Sequence, residues 1–376
     1  MKSLNQKIIL VDTIFKIILI ALFMASAVVS FGAKDHKKTI TESYDVSNGA
    51  TVELINKYGN MDVRTIASDQ VNVRVEILVD APNESKAEEI FDRIDISVYG
   101  SSNSVKAETK IASQKKGFWK NLMSWNNGNN YEIHYYVEVP DHVHLMLTNK
   151  YGNIYADDMN NEIDLELKYG NFEIGSAHDV AINLGYGKGK MDNVQDLDID
   201  LKYGEINAES AYDVDIVSKY SQVTIDDAKN MDVNSKHDKY RIRTANSFEN
   251  EGRYDNLRLG DIGEIEVDSK HTDIDVDKLH TRAYIRTGYG SIRINEITSE
   301  LEEIDIVSSH AGIKIDNPNE VGFRFDVETK YGSINIDQAD GDFGDDDNEE
   351  WAKGKRPGSG NGIVKIESKY GSVKIR

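Results

Sequence analysis

Between residues 162 and 280 the chain repeats itself every 17 residues, seven times and without a gap. The first two copies read EIDLELKYGNFEIGSAH and DVAINLGYGKGKMDNVQ, and the last reads EIEVDSKHTDIDVDKLH. A fixed period of this length leaves few folds open. One copy is too small to bury its own apolar face, so the copies must stack and share a core.

Within a copy, positions two, four and six are apolar, as in Ile163, Leu165 and Leu167. Alternation resumes at positions eleven and thirteen, as in Phe172 and Ile174. Period two is the signature of a half-buried strand. Between the two runs stand an aromatic residue and a small or turn-forming one, as in Tyr169-Gly170 and Tyr203-Gly204. Glycine there supplies a positive φ and hence a tight reversal. The second corner carries a small inward residue at position sixteen, such as Ala177, Val194 and Ala211. Each copy thus predicts strand, tight turn, strand, second turn. The predicted fold is all-β: a single-chain β-solenoid of stacked two-strand coils, each about 17 residues. At about 4.8 Å per coil it would extend on the order of 60 Å.

The aromatic position forms a column of Tyr151, Tyr169, Tyr186, Tyr203, Tyr220, His237, Tyr254, His271, Tyr289, His310, Tyr331 and Tyr370. It shares the parity of the inward positions, which predicts a structural ring ladder at the edge of the core with wet tips. A glycan-binding stripe is the competing reading and requires rings that reach solvent. Lysine often precedes the ring, as at Lys150, Lys168, Lys202, Lys219, Lys236 and Lys270. By parity it points outward, and neighbouring Asp and Glu are expected to offset the like charges.

Three segments follow from composition. Residues 1–33 place three lysines before the apolar run Ile17–Phe31, with Gly32 and Ala33 at a cleavage-like site, and predict a signal peptide. A retained anchor is the alternative, although the run is short for a spanning helix. Residues 34–140 hold the first strands and one copy of the repeat at 51–66. A β-rich cap with a short helix from Glu84, with Ala87, Ile90, Phe91 and Ile94 on one face, is predicted there to cover the first end of the solenoid. Residues 141–376 are the repeat domain.

Two insertions could carry function. Segment 114–130 sets Phe118, Trp119 and Trp125 among Lys115, Lys116 and Lys120, a pattern suited to a membrane surface or a partner as well as to a hairpin tip. Segment 340–362 is poor in apolar residues and predicts a flexible loop between the last two coils. Its Asp340, Asp342, Asp345, Asp346 and Asp347 are a weak calcium candidate, since the spacing is not that of an EF-hand.

The remaining chemistry is largely excluded. A net charge of −21 argues against nucleic acid partners. There is no Cys, hence no disulfide framework or thiol nucleophile. Neither G-x-S-x-G nor H-E-x-x-H occurs, and the glycines recur singly at turns. His142 and His144 share a strand face but lack a third ligand, so no metal is expected. No cofactor and no catalytic residue are expected either.

The K-Y-G-x-[IV] units at Lys57-Tyr58-Gly59, Lys150-Tyr151-Gly152, Lys168-Tyr169-Gly170, Lys330-Tyr331-Gly332 and Lys369-Tyr370-Gly371, behind a signal-like segment, resemble the putative-adhesin domain family of bacterial envelope proteins. The resemblance covers the chain from about residue 50 and implies a β-solenoid exported to the periplasm, outer membrane or cell surface. It supplies no catalytic residues. The function expected is a non-enzymatic, adhesin-like envelope protein with an envelope or surface partner, glycan or protein. The alternatives are a glycan-binding or carbohydrate-active solenoid and a membrane-anchored envelope-stress sensor.

Overall fold

The computed structural model describes residues 35–112 and 130–376. The signal-like segment lies outside them. The first elements are β1 (Asp35–Asp45), β2 (Thr51–Lys57), β3 (Met61–Thr65), β4 (Gln70–Asp80) and the helix α1 (Glu84–Phe91). Then come β5 (Ile94–Gly100), β6 (Ser104–Ile111), β7 (Tyr131–Val139), β8 (His144–Lys150) and β9 (Ile154–Ala156). The repeats supply β10 (Ile163–Ile174), β11 (Ala177–Lys202), β12 (Glu205–Lys219), β13 (Gln222–Lys236), β14 (Lys239–Arg253), β15 (Asn256–His271) and β16 (Asp273–Ile294). The last elements are β17 (Glu303–Ile315), β18 (Val321–Lys330), β19 (Ile334–Ile336), β20 (Asp340–Asp346), β21 (Glu349–Arg356), β22 (Ser359–Ser368) and β23 (Val373–Ile375).

The chain divides into two compact units. Among the described residues the smaller comprises 35–38, 77–95, 111–112 and 130–132. It contains α1, whose N-terminus is capped by Asn83, the side-chain oxygen accepting from the Lys86 N–H at 3.0 Å. Glu84 in the first turn complements the helix dipole. Ala87, Ile90 and Phe91 are its buried stripe. The helix stops at Phe91, and the predicted fourth member of that face, Ile94, opens β5 instead.

The larger unit is a β-solenoid. Neighbouring coils pair in parallel at an offset of 17 residues, so like meets like: Ile199 faces Ile216, which faces Val233. All three are buried. Each such side chain stabilises the fold by roughly 1.5–3 kcal/mol. The second corner is a bend rather than a turn. Strand β12 runs unbroken from Glu205 to Lys219, and Ser210–Asp227 and Ala211–Ala228 stay paired through it. Small residues at position sixteen let the backbone bend there without losing its ladder. At the aromatic residue the strand breaks in some coils, as between β11 and β12 at Tyr203, and runs through in others, as at Tyr169 in β10 and Tyr186 in β11.

The stacking order departs from chain order at both ends. Strand β2 pairs with β6 on one side and β8 on the other, and β3 pairs with β7 and β9. The excursion after residue 70 therefore lends strands to the solenoid itself, because Val105 and Ala107 alternate in phase with Val52 and Leu54. At the other end β17 pairs with β22 and β23, and those pair with β18 and β19. The last coil in the chain is thus inserted one place inward, and Arg376 does not end the stack. The outer edge of β18 is covered by antiparallel β21, which forms a hairpin with β20. Segment 340–362, expected to be a flexible loop, is that hairpin as far as Arg356 and then enters β22. Ala352 is buried and Phe343 lies 6.3 Å from the Phe325 ring, so a few apolar groups suffice once an open edge needs pairing.

A candidate binding edge

The turn allocates its strain differently from the expected pattern. Positive φ falls on the aromatic residue, at 59° for Tyr169, 60° for Tyr186 and 55° for Tyr203, rather than on the glycine after it. A left-handed conformation costs a bulky residue about 1–2 kcal/mol. The glycine is needed for space. A Cβ on Gly170 would lie 2.0 Å from the Gly152 carbonyl oxygen, and one on Gly187 would lie 1.8 Å from that of Gly170. Only at Tyr289-Gly290 does the glycine itself take the positive φ, at 121°.

The left-handed residue interrupts strand alternation, so parity does not carry through it. The rings leave the core edge and project outward: Tyr169, Tyr186, Tyr203, Tyr220 and Tyr254 are 40–51% exposed. They stack in one continuous file. It starts at Tyr58, Tyr151 and Tyr169 and runs coil by coil to His310, Tyr370 and finally Tyr331. Centroids are 4.5–5.3 Å apart and planes are tilted by 3–20°. Parallel aromatic pairs of this kind contribute ~0.5–1.5 kcal/mol each, which offsets the backbone strain. Each ring face is covered by a neighbour, so solvent meets ring edges and hydroxyls. Among the described residues, the hydroxyls of Tyr169, Tyr186, Tyr203, Tyr220 and Tyr254 bond to no protein group.

A cationic lane runs beside the file. Lys202, Lys219, Lys236 and Arg253 stand in register on adjacent strands. At the ends the ammonium groups of Lys57, Lys150, Lys168, Lys330 and Lys369 lie 4.6–5.6 Å from the adjoining Tyr rings. Lys202 pairs with Asp200 at 2.9 Å. Among the described residues Lys219, Lys236, Arg253 and Lys270 form no ion pair, and they line a shallow groove of about 460 Å³.

Behind the lane the core turns polar. Early coils place Leu167, Leu184 and Leu201 inward, with glycine three residues later. The next coils place Ser218, Ser235 and Gly252 there, followed by Ser221, Asp238 and Asp255. The volume lost at one position is filled from the other. The Asp238 carboxylate accepts from the Ser221 N–H at 2.5 Å and the Ser218 hydroxyl at 2.8 Å. That of Asp255 accepts from the Asp238 N–H at 2.9 Å and the Ser235 hydroxyl at 3.0 Å. Burial pushes the Asp255 carboxyl up to about 6, although these hydrogen bonds pull it back, and burial also raises Asp238.

One flat wall carries a column of carboxylates, Asp198, Asp215, Asp232, Glu249 and Glu266, paired strand to strand. Partial burial, and then the neighbouring charges of Asp232, Asp198 and Asp213, raise the Asp215 carboxyl. The column was legible as position three of the aligned repeats, but scattered acidic residues elsewhere hide it in an unaligned reading. A groove of about 740 Å³ is lined by Asp157 and Asp158 among others. Their carboxylates already accept from the Thr65 and Ser176 N–H groups.

Phe118, Trp119 and Trp125 lie outside the described residues. Asp340, Asp342, Asp345 and Asp346 are spread along β20, with Asp347 at the hairpin tip, and they do not converge. His142 contacts Asp69 at 3.1 Å, whereas His144 turns to Asp164 and Glu162, so the two histidines do not share a site. Among the described residues no helix is long and apolar enough to cross a membrane.

No family model and no curated protein matches the chain. Solved structures that align with it include a putative cell adhesion protein from Clostridium sporogenes, at 10% identity over 91% of this chain and 99% of that one, with a TM-score of 0.19. A putative adhesin from Bacteroides fragilis aligns at 12% identity over 90% and 97%, with a TM-score of 0.23. A putative adhesin from Parabacteroides distasonis aligns at 8% identity over 90% and 97%, with a TM-score of 0.28. Scores at this level do not establish a common fold.

Proposed function

We propose that this chain is an exported, non-enzymatic envelope protein of adhesin-like character that holds an extended partner along its aromatic edge. The observation that carries the reading is the unbroken file of exposed rings beside cations that have no internal partner. In a chain of negative net charge, a column of positive groups without acidic partners among the described residues runs in register along this strip, and a column of carboxylates runs on the neighbouring wall. Because ring faces are covered by their neighbours, the partner is recognised through hydroxyl hydrogen bonds and charge. Stacking of sugar faces on the rings would require a different geometry. A carbohydrate-active enzyme would need convergent groups in a cleft, and the carboxylate column lies on an open wall.

Binding of the purified chain to envelope fractions and a glycan array tests the proposal. Exchanging Lys219, Lys236 and Lys270 for glutamate should abolish binding, and the same number of charge changes on the opposite wall should leave it intact. Equal binding by both variants removes the edge from the reading. Mass spectrometry of cell fractions tests export: a mature chain beginning after residue 32 or 33 is expected outside the cytoplasm. An intact N-terminus in the membrane would favour the stress-sensor alternative, and a cytoplasmic chain would overturn the location.

A further inference from the structure

We infer that His144, Glu162 and Asp164 form a zinc site that clamps two adjacent coils. His144 is on β8; Asp164 is on β10, and Glu162 immediately precedes that strand. The β8–β10 register places Ile163 opposite Leu145, so Glu162 stands opposite His144 and Asp164 is its diagonal neighbour on the same outward face. The imidazole Nε2 lies 3.0 Å from the Asp164 carboxylate and 3.7 Å from that of Glu162. The three ligand atoms lie within 4.8 Å of one another. Among the described residues no other trio of His, Asp and Glu converges in this way, although the chain has 65 acidic residues and 9 histidines.

The separations suit one metal in particular. Zinc bonds of about 2.0–2.1 Å at tetrahedral angles put neighbouring ligand atoms roughly 3.3 Å apart. The observed 3.0 and 3.7 Å bracket that value on the two edges the imidazole shares, and the edge between the two carboxylates, within 4.8 Å, closes by rotation of their exposed side chains. Calcium takes six to eight oxygen ligands and is a poor match to an imidazole with two carboxylates. Three protein ligands leave a fourth position for water, which the half-exposed site can supply. The supporting backbone is fixed: the Leu145 N–H donates to the Glu162 carbonyl at 3.0 Å and the His144 N–H to the Ala50 carbonyl at 3.0 Å. Two carboxylates on one face of a negatively charged chain repel each other, and a divalent cation converts that repulsion into a crosslink between coils. The nearby His178 is engaged with Asp179 at 2.7 Å and is not needed.

Calorimetric titration of the chelator-treated full chain with zinc chloride tests the site. One ion per chain is expected, with an upward shift of the thermal midpoint. Cobalt(II) should give the visible absorption of a tetrahedral complex. His144→Ala and Asp164→Asn should each weaken zinc binding at least tenfold, and His142→Ala should leave it unchanged. His144→Gln, which keeps side-chain volume and polarity, provides the same test should the alanine variant fold poorly. Absence of saturable binding overturns the inference. So does undiminished binding in a folded His144 variant, which would mark scattered surface histidines as the ligands.

Discussion

Asp255 offers the most direct test of how the interior of the solenoid is built. It is 4% exposed, and its carboxyl is pushed from 3.8 up to about 6. A carboxyl whose pKa rises on folding holds its proton more tightly folded than unfolded. Its contribution to stability is therefore fully present below pH 3.8 and is lost as the pH climbs through about 6. Each pH unit of displacement corresponds to ~1.4 kcal/mol, so ionising the buried group removes about 3 kcal/mol by pH 7. Many surface carboxylates titrate in the same range, so the wild-type curve alone is not diagnostic. The difference between Asp255→Asn and wild type is. Rearranged hydrogen bonds to Ser235 and the Asp238 N–H add a constant offset that does not vary with pH. The variant should gain relative stability by about 2.4 kcal/mol between pH 4 and 7.5, read as urea midpoints at a series of pH values. A difference that stays flat across this range would refute the claim that Asp255 ionises inside a low-dielectric wall.

Three further outcomes follow from the coil geometry. Gly187→Ala forces a Cβ to within 1.8 Å of a neighbouring carbonyl oxygen, and should lose ~3 kcal/mol or more in urea unfolding; Gly185→Ala, whose nearest neighbour is 3.9 Å away, should be close to neutral. Tyr203→Ala should be less stable than Tyr203→Gly by about 1 kcal/mol, because both lose two ring stacks but only glycine accepts the left-handed turn without strain; equal thermal midpoints would contradict this. A chain truncated after Arg356 removes an internal rung rather than the end of the stack, so hydrogen exchange should show β18 and the β20–β21 hairpin losing protection together with the deleted strands.

The stacked file of rings was legible because a 17-residue period with in-phase alternation brings like residues opposite one another. Their exposure was not, since alternation breaks at the reversal: the chain passes from buried Leu167 to buried Phe172 across five residues, and Tyr169 falls on the outward side. The His144 cluster was half visible: the histidine stood out, but Glu162 and Asp164 look ordinary until the strand register is known.

Local alternation and period alone thus determined that this chain would form a stacked β-solenoid with a ring at each reversal, because those features repeat within every copy. Tertiary structure decided which rungs touch at the two ends. Any apolar alternation fits any neighbour about equally well, so the order in which β22 and β23 slip between β17 and β18 is set by edge pairing across the whole stack. It also decided which residues meet solvent at the turn, because steric contact between backbones distant in sequence has no local signature.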